Sequence, residues 1–215
     1  MGRPRAVIFD FNGTLSPDEP ILCEIFMKVF AEHGRPLSAQ EYFDELAGLS
    51  DPEIVRTWLG RDHPDVDEVI AERIRRYRSA VADGSSVPEN LRSAVRYAAE
   101  RVPLAIVSGA DRSEIELVLE AAGIAHLFTA FVAAEDVPNG KPRPDGYRRA
   151  LQLLGENLDG GEVLALEDTE AGVAAAKGAG MQCFAVLGTL APERLRRADE
   201  IIERIDVALM ERLLG

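Results

Sequence analysis

Short apolar runs punctuate the chain, and each stops at a polar or glycine-containing turn. Ala6 to Phe9, rich in β-branched and aromatic residues, reads as a buried strand ending at Asp10. Leu104 to Val107 repeats that form and ends at Ser108-Gly109. Ala130 to Ala133 follows more weakly, before the loop Asn139-Gly140-Lys141-Pro142-Arg143-Pro144. Val163 to Leu166 ends at Glu167-Asp168, and Gln182 to Leu187 closes the series. Between these runs lie helical patterns with glycine stops: Ser113 to Ala122, Asp145 to Leu154 and Ala171 to Ala179. Strand and helix in alternation predict an α/β fold with a doubly wound parallel sheet, because crossovers of this length are right-handed and cover both faces.

One stretch breaks the rhythm. From Ser16 to Val87 no strand pattern appears, and several amphipathic helices do. Ile21, Ile25, Phe26, Val29 and Phe30 share one face, Ser38 with Glu41 forms a capping box, Ser50-Asp51-Pro52-Glu53 opens a further helix, and Val66 to Val81 makes a longer one. The expected organisation is a core from residues 1–15 and 88–215, with a helical cap domain at 16–87. Such an insertion after the first strand suits a hinged cover that excludes water and selects substrates.

Composition narrows the function. The chain has 215 residues, 47% apolar and 28% charged, which excludes collagen-like and largely disordered classes. Its net charge of -13 is not a tail effect, since 15 acids and 8 bases fall within 16–87 alone. So negative a surface repels phosphate backbones and anionic lipid heads, so nucleic acid and membrane are not expected partners. A small metabolite is, with the chain acting as a monomer or small homo-oligomer. No apolar run approaches a membrane span, and the first residues read as neither a signal core nor a myristoylation signal, so a cytoplasmic location is expected. Cys23 and Cys183 have no metal-like spacing and read as buried thiols; His33, His63 and His126 follow no ligand spacing. Phe26, Phe30, Phe128 and Phe131 read as core, and Trp58 and Tyr42 as packing between cap helices.

In an open parallel sheet ligands bind beyond the carboxyl ends of the strands. Those ends carry Asp10, Ser108, then Lys141 in the loop after the third run, then Glu167 and Asp168. A nucleophile, a hydroxyl donor, a cation and two carboxylates together would make a magnesium and phosphate site. Lys141 stands out because the chain has 21 Arg and only 3 Lys.

Four segments, Phe9-Asp10-Phe11-Asn12-Gly13-Thr14-Leu15, Val107-Ser108-Gly109, Gly140-Lys141-Pro142-Arg143-Pro144-Asp145 and Leu166-Glu167-Asp168-Thr169-Glu170-Ala171-Gly172, resemble the motifs of the haloacid dehalogenase superfamily. The likeness spans the chain and is greatest to the branch with a helical cap on a Rossmann-like core, which includes β-phosphoglucomutase and small-molecule phosphatases. It implies a phosphatase acting on a small phosphorylated metabolite, of sugar type. Asp10 would be the nucleophile, forming an aspartyl-phosphate. Mg²⁺ would sit between Asp10, the main-chain carbonyl of Asn12 and Asp168, with Glu167 direct or through water. Ser108, the amides of Gly109 and Ala110, and Thr14 would meet the phosphate, and Lys141 would neutralise charge on nucleophile and substrate.

The pattern breaks at Asn12, where most phosphatases and phosphomutases of the superfamily carry an acid-base Asp. An amide cannot shuttle a proton, a service worth roughly 10² to 10⁴ in rate. Catalytic positions are thus Asp10, Asn12 and Lys141, with Asp18, Glu19, Asp51 and Glu53 as candidate substitute acids. Asn12→Asp is expected to raise turnover. The alternatives are a catalytically weak phosphometabolite-binding or regulatory protein and a β-phosphoglucomutase-like mutase. The Gly48-Leu49-Ser50-Asp51 loop lacks an Arg for a second phosphate, which lowers the mutase reading, and Arg56, Arg61 and the Arg73 to Arg78 group are expected on a solvated helix face. Glu167-Asp168 opposes dehalogenation. Lys28, the only cap lysine, stands apart from the loop where phosphonatase chemistry would need it.

Overall fold

Strand β1 (Ala6–Phe9) is completely buried and pairs in parallel with β2 (Leu104–Val107) on one side and β4 (Val163–Glu167) on the other. In this computed structural model, which describes residues 2–155 and 157–215, β3 (Ala130–Val132), β5 (Gln182–Val186) and β6 (Glu200–Ile202) complete a parallel sheet in the order β3-β2-β1-β4-β5-β6. Met1 and Glu156, both inside the expected core stretches, lie outside the described residues. The expected series of strands closed at Leu187; β6 extends it. This edge strand is only three residues long, Glu200-Ile201-Ile202, too short for its period to stand out.

Alternation along the strands sends side chains to two cores. Val7, Phe9, Leu104, Ile106, Leu164 and Leu166 face α5 (Glu89–Ala99), α6 (Arg112–Ala121) and α9 (Val207–Leu214). Ala6, Ile8, Ala105, Val107, Val163 and Ala165 face α7 (Asp145–Leu154) and α8 (Glu170–Gly178). Helices on both faces make the sheet doubly wound, as the alternation of runs predicted.

Among the described residues, the stretch between β1 and α5 is helical: α1 (Glu19–Glu32), α2 (Ala39–Glu41), α3 (Asp51–Leu59) and α4 (Val66–Val81), with a π-helical turn at Tyr42–Leu46 after α2. Both capping boxes form, Ser38 with Glu41 and Ser50 with Glu53. Helix α1 turns Leu22, Ile25, Phe26, Val29 and Phe30 inward against α4, which also meets α3 and α6. Phe26 stacks on Tyr42 and Phe30 on Trp58, with ring centroids 5.9 and 6.3 Å apart. The apolar cluster runs from these helices into the α5–α6 face of the sheet without a break.

Candidate active site

Strand order reverses at β1, which has β2 on one side and β4 on the other, and such a switch point opens a crevice at the carboxyl ends. There β1 delivers Asp10, β2 delivers Ser108, and β4 ends in Glu167 and Asp168. The loop before α7 brings Lys141, whose ammonium donates to Asp10 and lies 2.6 Å from Glu167 Oε1. All three side chains are buried. Burial alone would lower the Lys141 pKa, but Asp10 and then Glu167 hold it above the ordinary lysine value, so the ammonium stays charged. Tyr147, on α7, donates its hydroxyl to Glu167 and places its ring 5.7 Å from the Lys141 ammonium.

One carboxylate oxygen from each of Asp10, Glu167 and Asp168 falls within 4.8 Å of the others. Burial, then Asp10 and Glu167, raise the Asp168 pKa far above the usual carboxylate range, as expected for anions packed together without enough cations. Among the described residues Asp168 Oδ2 is buried without a hydrogen-bond partner, while Oδ1 accepts from Thr14 Oγ1 at 3.2 Å. An orphaned carboxylate oxygen among three acids, all donors being oxygen, fits a hard divalent cation such as Mg²⁺. Gly13 closes this corner: its φ of +78° needs glycine, and a Cβ there would come within 1.9 Å of Asp168 Oδ2.

A narrow cavity of about 40 Å³ lies above these groups. Its floor includes Asp10, Asn12, Ser108, Gly109, Ala110, Lys141 and Asp168, so seven of the nine expected site residues line it. Glu167 sits behind Lys141, and Thr14 holds Asp168 rather than facing the space. The Ala110 amide donates to Ser108 Oγ at 3.0 Å. The roof comes from the helical stretch, with Glu19, Leu22, Phe26, Tyr42, Asp51, Ile54 and Arg73, and with the Gly48-Leu49 segment. Gly48 lies so close to the core that a Cβ would meet Thr169 Oγ1 at 2.6 Å.

One expectation needs correction. Arg73 does not join a solvated face; it is 2% exposed, lines the cavity, donates to Glu114 on α6 and lies 3.2 Å from Asp51. The i+4 neighbour Tyr77 is fully buried, so that face of α4 points inward, which the run of arginines concealed. At Asn12, both amide hydrogens are committed, to Asp18 Oδ1 and Tyr77 Oη at 3.1 Å each. An Asp there would place its carboxyl group beside Asp18 Oδ1, which now accepts from the Asn12 amide. Lys28 is exposed and 3.5 Å from Glu24, consistent with no role in the site.

The family model for haloacid dehalogenase-like hydrolases matches residues 7–186, a span that contains every one of these site residues. The chain belongs to this family. Validoxylamine A 7'-phosphate phosphatase of Streptomyces hygroscopicus subsp. limoneus is 28% identical over 93% of each chain. Hexitol phosphatase B of Escherichia coli K12 is 30% identical over 86% of each. Among solved structures, a variant of CbbY from Rhodobacter sphaeroides in complex with xylulose-(1,5)bisphosphate superposes with a TM-score of 0.82 at 26% identity, covering 94% of this chain and 95% of that one. The chain is accordingly a hydrolase of the haloacid dehalogenase-like kind, and the two sequence relatives are phosphatases by name. None of the helices among the described residues is long and apolar enough to cross a membrane.

Sequence reading of this hydrolase misplaced Arg73 and missed Tyr77, Glu114 and Tyr147, none of which stands in a motif. Two buried acids carry a measurable consequence. Burial raises Glu19 and Glu114 to about 7, against the pulls of Tyr42 and Arg73 respectively. The folded chain therefore holds protons that the unfolded chain releases between about pH 4.5 and 7. Stability contributed by these protons is complete below that window and is lost as pH rises through it. Calorimetry on metal-free protein should show the unfolding midpoint falling by roughly 5 °C between pH 5 and pH 7.5. A midpoint that rises over that range would contradict the burial of these acids.

Proposed function

We propose that the chain hydrolyses a phosphomonoester of a small hydroxylated metabolite, a sugar or polyol phosphate, through a phosphorylated Asp10. The observation that carries this reading is the buried line Asp10, Lys141, Glu167, with the unpartnered Asp168 oxygen beside it and a small roofed cavity above. Asp10 attacks phosphorus, and Lys141 offsets charge on the attacking carboxylate and the phosphoryl oxygens. Ser108 and the amide of Gly109 orient those oxygens, with the Ala110 amide holding Ser108 Oγ. Asp10, Asp168, Glu167 and the Asn12 carbonyl would hold Mg²⁺, which supplies charge neutralisation between carboxylate and phosphate.

The division into a core of residues 1–15 and 88–215 and a cap of 16–87 belongs to this proposal. A cavity of about 40 Å³ holds little more than water, so entry of a sugar phosphate requires the cap to lift. Arg73 is the cation the cap contributes to the cavity, and Asp51 and Glu114 already neutralise it. The roof thus offers no surplus positive charge to a second phosphate or a carboxylate, and Leu22, Phe26, Tyr42 and Ile54 suit the carbon skeleton of an uncharged remainder. The same point weighs against a mutase, which must grip a bisphosphate at both ends.

A phosphate-release panel tests this. Sugar and polyol monophosphates should be turned over with Mg²⁺ at least tenfold faster than phosphoglycolate or sugar bisphosphates, and chelation should abolish release. Preference for the doubly anionic substrates would refute the charge argument. Absence of release from every ester would favour the binding-protein alternative, and isomerised sugar phosphate without net release would favour the mutase.

A further inference from the structure

Asn12 cannot supply the proton that an alkoxide leaving group needs, because a carboxamide is not an acid near neutrality, and its two amide hydrogens are already donated to Asp18 and Tyr77. We propose that Glu19 is the proton donor to the leaving alcohol, and afterwards the base that activates water, in this chain. The assignment rests on the phosphatase reading above and deepens it.

Four cap-side acids were open to the role on sequence grounds, and the structure separates them. Asp18 is 1% exposed, accepts from Ser16, Tyr77 and Asn12, and does not line the cavity. Glu53 caps α3, its Oε2 accepting from the Ser50 amide at 3.3 Å and hydroxyl at 2.9 Å, and it too stands outside the cavity. Asp51 lines the cavity but is ion-paired with Arg73. Glu19 lines the same space as Asp10 and carries no ion pair among the described residues. Its Oε1 accepts from the Tyr42 hydroxyl at 2.8 Å, which orients the group, and Oε2 has no protein hydrogen bond among the described residues. An oriented carboxyl group on a residue that lines the reaction cavity, with one oxygen uncommitted, is what proton transfer requires.

The surroundings of Glu19 suit a group that both gives and takes a proton near neutrality. Burial lifts its pKa to about 7; the Tyr42 hydroxyl and Arg73 pull it down, while Asp18 and Asp10 push it up. Asp168 and Cys23 also lie within reach of its charge. In the first displacement an Asp10 oxygen bonds to phosphorus, the bond from phosphorus to the alcohol oxygen breaks, and that oxygen takes the Glu19 proton. In the second, water bonds to phosphorus and gives its proton to Glu19, and the bond from phosphorus to Asp10 breaks. Inorganic phosphate leaves, and both carboxyl groups return to their starting states.

The test is Glu19→Gln, which keeps the size of the side chain and an oxygen for Tyr42. kcat/KM is measured on an alkyl phosphate and on an aryl phosphate whose phenol departs unprotonated. We expect kcat/KM to fall about 10²-fold on the alkyl ester and less than fivefold on the aryl ester, because that parameter ends with phosphorylation of Asp10. The wild-type profile on the alkyl ester should fall with an apparent pKa near neutrality, and Tyr42→Phe should move that limb to higher pH by removing a hydrogen bond to the carboxylate. Equal loss on both esters would assign Glu19 to binding or folding and overturn the proposal, as would an unchanged alkyl rate or a limb that Tyr42→Phe leaves in place. Aryl turnover that depends on Asp10 distinguishes that failure from failure of the phosphatase reading itself, in which wild type would hydrolyse neither ester.

Discussion

Asp10→Asn should lower phosphate release by at least about 10⁴-fold while leaving the fold intact, the loss expected when a nucleophile is removed and its surroundings are kept. The amide is isosteric with the carboxylate but cannot bond to phosphorus under these conditions. Stability should hold or rise, because Asp10 shares a buried space with Glu167 and Asp168 and all three repel one another. Lys141 keeps Glu167 as a partner in the variant. Two measurements check this. Thermal unfolding should show no loss, and mass spectrometry of acid-quenched wild type in turnover should place one phosphoryl group on the Asp10 peptide, absent in the variant. Activity within tenfold of wild type would remove Asp10 from the chemistry.

The strand ends were legible because each is a local signal: a run of apolar residues stopping at a polar one. Asp10, Ser108, Glu167 and Asp168 lie within one residue of the end of β1, β2 or β4, so topology alone brings them together. Lys141 was legible jointly with them, as the cation in the loop after the third run, and its rarity added only a little. The roof was harder to read because its chemistry depends on tertiary contact across long separations. Arg73 is one of four arginines between 73 and 78, and only its pairing with Glu114, 41 residues away, shows which points inward. Tyr77 and Tyr147 look like ordinary apolar-face residues of α4 and α7 until their hydroxyls meet Asp18 and Glu167. The π-helical turn at Tyr42–Leu46 has no sequence signature, yet it carries Tyr42, whose hydroxyl bonds Glu19.

Lys141→Met should have the largest combined effect, costing both folding stability and turnover. The Lys141 side chain is 7% exposed and its ammonium lies between Asp10 and Glu167, so its removal leaves two buried carboxylates facing each other. Breaking a buried pair by deleting one partner costs about 3–5 kcal/mol. In this chain the loss has a pH signature. Burial already raises the Glu167 pKa, and Lys141 is the main influence pulling it down, so without Lys141 it rises further. An acid whose folded pKa exceeds its unfolded one destabilises the fold as pH rises through that interval. The variant should therefore approach wild-type stability near pH 4 and fall progressively behind it toward pH 8. Turnover should drop at least about 10²–10³-fold, the usual cost of one preorganised donor to a charged transition state. Lys141→Arg should not restore it, because the planar guanidinium is larger than the point charge that fits between Asp10, Glu167 and the Tyr147 ring. Denaturant midpoints at several pH values, with phosphate release alongside, make the check. A Lys141→Met stability deficit that is constant with pH would mean that Asp10 and Glu167 are not held apart by this ammonium. The electrostatic account of the site would then fail with it.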